Sequence, residues 1–331
     1  MRVSPTASSL GTGGGSHAEV AAGAVHSCEL RADRSVWCIG DNQWGQLGTG
    51  DLEPVTGAIQ VGAATDWISI TGGEVHTCGL RPGDELWCWG AYPHHEQDPG
   101  GTLVTPTGPV EVDGDHAWRS VAPGTTHTCG ILVDHTLRCW GLNLWGEVGD
   151  GTTSVAGAPQ AVAGGPWRTV ATGLTSTCAI GADGTLWCWG ANSHPDPDPS
   201  PIVPTRLGSD DTWVSIAGRG THYCATRTDG TLWCWGANHD GQLGQGTATT
   251  SSISLPTQVG TDTDWRSVGT GPAHTCANRL DWSLWCWGRN NEGQVGDGGS
   301  VDALSPVLVD DSRRWIGFEL GYEFTVAFSL A

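Results

Sequence analysis

Twelve cysteines fall in six pairs, and the two members of every pair stand ten positions apart: 28/38, 78/88, 129/139, 178/188, 224/234 and 276/286. Successive first members are separated by 46 to 52 residues. Eleven positions before the first cysteine stands a tryptophan in five units, Trp67, Trp118, Trp167, Trp213 and Trp265, with His17 in the first. Trp315 begins a seventh unit, in which Val326 holds the cysteine position. A fifty-residue period of this kind signals a repeat architecture, because one such unit cannot bury its apolar face alone.

Within a unit the pattern is that of strands. "TDWRSVGTG" alternates apolar and polar residues, "HTCAN" and "LWCWG" are two more short runs, and a fourth strand follows each proline, as in "LPTQVG". Asp183-Gly184 and Asp229-Gly230 supply the positive φ of a hairpin turn, while other units place Arg34, His135 or Trp282 there. About four strands per fifty residues is the size of a propeller blade. No segment has a convincing helical period. The chain reads as all-β and as one propeller domain over 1–331. Residues 17–310 form six complete repeats and 311–331 the start of an atypical seventh. Residues 1–16 are a segment that contributes to closing that blade.

Cysteines equidistant from the hairpin turn face each other across two strands. Their Cβ atoms would lie about 4.5–5.5 Å apart, somewhat more than a disulfide prefers, so slightly pinched pairs are expected. Six disulfides, Cys28–Cys38, Cys78–Cys88, Cys129–Cys139, Cys178–Cys188, Cys224–Cys234 and Cys276–Cys286, would staple each complete blade internally. Side chains alternate along a strand, so the flanking tryptophans (Trp87, Trp89, Trp187, Trp189, Trp233, Trp235, Trp285, Trp287) pack between blades. The rival arrangement is a metal site, since His222 shares a strand face with Cys224 opposite Cys234, and His26, His76, His127 and His274 repeat the pattern. Ser176 breaks it while Cys178 and Cys188 remain, which a disulfide tolerates and a three-ligand site does not. No metal and no cofactor is therefore expected. Paired cysteines belong in an oxidising compartment, so the expected location is secreted, extracellular or cell-surface, with the periplasm also open.

Charge excludes whole classes of partner. Thirty-five acids oppose 15 bases, all arginine, for a net charge of −20. Nucleic acid and anionic membranes need a basic footprint that is missing here. Lysine-dependent chemistry is excluded, and no apolar run is long enough to span a membrane. The first residues contain no apolar stretch typical of a signal peptide.

"WGQLGTG" (44–50) after Asn42, "NHDGQLGQG" (238–246) and "NNEGQVGDG" (290–298) resemble the regulator of chromosome condensation repeat, as do the Gly-x-x-His-Thr starts and the "DGTLWCWG" hairpin ends. The resemblance covers about residues 17 to 331. It implies a seven-bladed β-propeller, of a bacterial secreted-type branch. The family's founder is an exchange factor for a small GTPase at chromatin, a setting that paired cysteines and an acidic charge do not suit. Other relatives are a secreted propeller that inhibits β-lactamases and a plant ultraviolet photoreceptor, whose arginine–tryptophan core motif is not evident in the sequence.

No nucleophile elbow, zincin helix or phosphate loop is present. The chain therefore reads as a non-catalytic interaction or scaffold module that binds a protein or glycan through propeller-face loops. The alternatives are a structural protein that self-assembles by strand exchange at blade seven, or a secreted enzyme acting on glycans. Candidate ligand-binding residues are Trp44 and Trp145 in Asn-x-x-Gly loops and Trp282 at a hairpin tip. Units two and four replace that loop with "AYPHHEQDPGG" and "ANSHPDPDPSP". They add His94, His95, Asp98, Asp196 and Asp198.

Overall fold

A computed structural model describes residues 19–91, 106–191 and 200–329. It holds six four-stranded antiparallel sheets and one two-stranded sheet, and no helix among the described residues. The fifth blade is typical. Trp213–Arg219, His222–Arg227, Leu232–Asn238 and Thr249–Gln258 pair in sequence order from the centre outwards. The other complete blades occupy 19–60, 69–111, 118–162, 167–206 and 265–308. The seven-bladed expectation is met only in part. Six blades are complete, and the seventh sheet consists of Trp315–Leu320 and Thr325–Ser329. It packs between the sixth and first blades. There the Tyr322 N–H donates to the Ala24 carbonyl at 3.1 Å, so the turn that starts one blade touches the turn of the next.

The hairpins carry the register that the cysteine spacing requires. Cys224 lies opposite Cys234, and every other pair is aligned the same way. All six disulfides form, with Cα atoms 4.0–4.1 Å apart, inside the usual 4.5 Å separation of a narrow cross-strand pair. The turn position accepts non-glycine residues in left-handed conformation: Arg34 at φ 64°, His135 at 68° and Trp282 at 70°.

The second to sixth blades are covered on both faces by their neighbours, which is why their second strands are buried almost throughout, whereas that of the first blade alternates between buried and half-buried residues. The first-strand tryptophans Trp67, Trp118, Trp167, Trp213 and Trp265 are at most 4% exposed. Each meets the buried tryptophan after the second cysteine of its own blade, with ring centroids 5.5–6.2 Å apart.

Between blades the histidines do specific work. The Thr77 hydroxyl donates to the Gln46 carbonyl (3.0 Å) and lies 2.8 Å from His26 Nε2. A hydroxyl has one hydrogen, so the ring nitrogen must be the donor and His26 is the neutral Nε2–H tautomer. The same relay joins His127 to Thr177, His222 to Thr275 and His274 to Thr325. The histidines thus join neighbouring blades, each with a threonine hydroxyl of the next blade as its partner. Burial lowers the pKa of His26, His127, His222 and His274 to about 3.

Candidate functional site

The Asn-x-x-Gly loop is built identically wherever it occurs. Asn42 Oδ1 accepts from the Leu47 N–H (3.0 Å), and Asn143, Asn238 and Asn290 do the same for Val148, Leu243 and Val295. The asparagine Nδ2 ties the far end of the loop, for example Asn143 to the Thr152 and Ser154 carbonyls. Gly45 and Gly146 turn the chain at φ 72° and 79°. Their Cα atoms pack so closely on Thr107 and Ile202 of the next blade that a side chain there would collide. The loop carbonyls of Gln46, Glu147 and Gln242 each cap an indole N–H of the following blade, from Trp89, Trp189 and Trp287. Trp140 and Trp235 follow the two blades that lack the loop, and their indole N–H groups are without such a partner among the described residues.

On this frame Trp44 is 46% exposed and Trp145 55% exposed, the latter beside Leu144. Their backbone N–H groups are fixed by Gln46 Oε1 (2.9 Å) and Glu147 Oε2 (2.7 Å). Two large aromatics thus project from rigid loops at the same end of the first and third blades. Asp240 and Glu292 take the same place in the fifth and sixth.

Trp282 does not join them. It sits at the tip between the second and third strands, which antiparallel connectivity puts at the other end of the blade, and Arg266 stacks on its ring at 3.6 Å. His94, His95, Asp98, Asp196 and Asp198 lie outside the described residues. Among the described residues no group of three metal-ligating side chains comes together, and no helix is long and apolar enough to cross a membrane.

Two arrangements escaped the sequence reading. The first is in the central channel, a cavity of about 390 Å3 lined by the inner strands of the second to sixth blades and the two-stranded sheet. Here Arg219 donates to the carbonyls of Leu320 (2.7 Å), Ala22 (2.9 Å) and Gly72, tying the fifth blade to the seventh, first and second sheets. Desolvation pulls the Arg219 pKa down, against the raising effect of Glu319 and Glu74. Glu319 is deep within the ring, and desolvation pushes its pKa up to about 7 although Arg219 opposes the rise. Its side chain nevertheless faces open channel space, so water there screens the pair. The signal was available: Arg219 replaces the glycine found at 23, 73, 124, 173, 271 and 321.

The second is a set of arginine–tryptophan stacks. Arg31, Arg81, Arg227 and Arg279, each at the end of a second strand, lie over tryptophan rings at 4.0–5.6 Å. The signal was a recurrent arginine three positions after the first cysteine.

The Regulator of chromosome condensation (RCC1) repeat matches residues 229–277 and 283–328, and a second form of the same repeat matches 167–194 and 214–242. The chain is 29% identical over 328 residues to the ultraviolet-B receptor UVR8 of Arabidopsis thaliana, covering 93% of this chain and 73% of that protein. Among solved structures it is similar to Prp20p of Saccharomyces cerevisiae, with a TM-score of 0.83 at 20% identity over 94% of this chain and 82% of that one. It is also similar to human WBSCR16, with a TM-score of 0.81 at 19% identity over 95% and 87%. The matched repeats, which cover less than half of the chain, and the 29% identical relative mark a likeness to RCC1 repeat proteins, with which the chain shares the propeller fold.

Proposed function

We propose that this chain is a non-catalytic, extracellular interaction module that grips a protein partner with the loop end bearing Trp44, Leu144 and Trp145. The observation that carries the reading is the outward projection of two tryptophans from loops held by buried asparagines. Tryptophan is enriched at binding hot spots, and a preorganised loop loses little entropy on binding. The six disulfides support an oxidising compartment. The family supports a protein partner: Prp20p is described as binding Gsp1p and histones. The test is a screen of the oxidised protein against arrayed extracellular proteins and glycans, repeated with Trp44→Ser/Trp145→Ser. A protein hit weakened roughly tenfold or more by the double variant, at unchanged melting temperature, is the expected result. Hits that the double variant leaves untouched, or product formation from an arrayed glycan, overturn it.

A second reading is favoured by the seventh sheet, where Thr325–Ser329 pairs with only one strand among the described residues. Such an edge is a template for self-association. Sedimentation over a hundredfold concentration range tests it, and a constant monomer mass removes it.

A further inference from the structure

The arginine at the end of the second strand fills a defined slot. Arg227 lies 4.3 Å from the Trp213 ring and 4.0 Å from Trp233, and Arg279 lies 4.6 Å from Trp265 and 4.3 Å from Trp285. Arg81 occupies the same place between Trp67 and Trp87 at 5.6 and 5.0 Å. The third blade inverts the set, with buried Leu132 in the slot and Arg138 in place of the half-buried tryptophan.

The fourth blade keeps both rings and lacks the arginine. Trp167 and Trp187 are 6.1 Å apart at 86°, against 6.3 Å and 78° for Trp213 and Trp233. The arginine position is Gly181, and a cavity of about 540 Å3 opens there between Trp167, Trp187, Pro166, Val203 and Asp183. The Asp183 carboxylate at its rim accepts from the Thr185 hydroxyl and N–H. The nearby arginines are engaged elsewhere: Arg206 donates to the Ser209 carbonyl, and Arg168 to the Trp213 and Ala182 carbonyls. Neither stacks on the two rings.

We propose that this slot receives an arginine side chain presented by a partner polypeptide. In the fourth blade Gly164 and Pro166 stand where the sister blades carry Asp210, Asp262 or Asp66, the carboxylates that pair with the arginine there, so Asp183 is the carboxylate left at the slot; in those three blades the same pair of indoles holds the guanidinium. Its plane stacks on an indole where an ammonium cannot, and the aspartate and the net charge of −20 favour a cation. None of the residues lining the slot belongs to the loops that bear Trp44 and Trp145, so it stands apart from the loop-end reading and each fails alone.

The experiment titrates the intact oxidised protein with Nα-acetyl-arginine methylamide and reads indole N–H signals by 1H–15N spectroscopy. The Trp187 signal is expected to shift saturably while those of Trp44 and Trp145 stay still. The uncharged norleucine analogue should bind about tenfold more weakly or not at all. Gly181→Arg, which copies Arg227 into the slot, should abolish the shift. Trp187→Leu keeps the glycine and should weaken binding about fivefold or more, the loss of one cation–π contact. No saturable shift, equal binding of norleucine, or an undiminished shift in folded Gly181→Arg overturns the proposal. If Gly181→Arg does not fold, unchanged affinity in Trp187→Leu does so.

Discussion

The Ser176 hydroxyl lies 2.9 Å from the Tyr223 phenol oxygen across the boundary between the fourth and fifth blades. At five other boundaries those two positions are a histidine and a threonine. The exchange is reciprocal: the small side chain has moved to one blade and the ring to the other, and Tyr223 stacks on Trp235 with centroids 5.7 Å apart.

This pairing predicts a non-additive pair of substitutions. Ser176→His alone forces an imidazole against the phenol and should cost about 1–3 kcal/mol as overpacking. Tyr223→Thr alone leaves a cavity and should cost roughly 3–5 kcal/mol. The double variant restores the histidine–threonine bond of the other boundaries and should be cheaper than the sum by about 1–3 kcal/mol. Denaturant melts measure this directly, and simple additivity would refute it.

The neutral histidines predict an acid limb. Their folded pKa values, about 3 for His26, His127, His222 and His274, lie below the unfolded value near 6.5. The unfolded chain therefore takes up protons first, and stability present above pH 6.5 is lost as pH falls towards 3. Thermal melts from pH 7 to 4 should fall steadily. His222→Gln should lessen that slope while lowering stability at pH 7, and an unchanged slope would count against the relay.

The channel predicts the opposite limb. Glu319 and Glu19 have folded pKa values raised to about 7 and 6, in both cases chiefly by desolvation. Their contribution is complete below the unfolded carboxylate range and is lost as pH rises through 6 to 7. Glu319→Gln should flatten the melting profile between pH 4.5 and about 7. Arg219→Met removes the bonds to three carbonyls and the charge opposing Glu319, so it should lower the melting temperature and move the Glu319 titration upwards. A profile identical to that of the parent in both variants would show that the channel charges are inert.

Repetition made most of the architecture legible. Cys224 and Cys234 announce their pairing because a turn lies midway and the phrase recurs, so errors in one unit are corrected by the others. Single departures were harder to interpret. Ser176 argued for a disulfide, and Cys178–Cys188 forms, but its partner Tyr223 is 47 residues away and only the ring of blades brings them together. Arg219 and Gly181 are each one letter out of step, and sequence cannot show that the first crosses a channel while the second vacates a slot. Trp282 shared a residue type with Trp44 and Trp145, yet the strand count between them puts it at the opposite end of its blade.

One departure predicts a gain. Glu147 stands where three other loops carry Gln46, Gln242 and Gln294, and it is 1% exposed. Burial raises its carboxyl pKa, partly offset by N–H groups including that of Trp145. No arginine pairs with it among the described residues, so above its pKa the fold carries a desolvated charge. A glutamine would keep the acceptor, since Gln46 Oε1 holds the Trp44 N–H at 2.9 Å. Because the folded pKa is raised, the native state favours the protonated acid, and stability is lost as pH rises through that value. Glu147→Gln should therefore stabilise the protein at pH 8 by on the order of 1 kcal/mol and lose its advantage in acid. It should also leave the Trp145 indole signal in place. A lower melting temperature at pH 8, or a gain that persists unchanged at pH 4, would mean that the carboxylate is compensated within the loop.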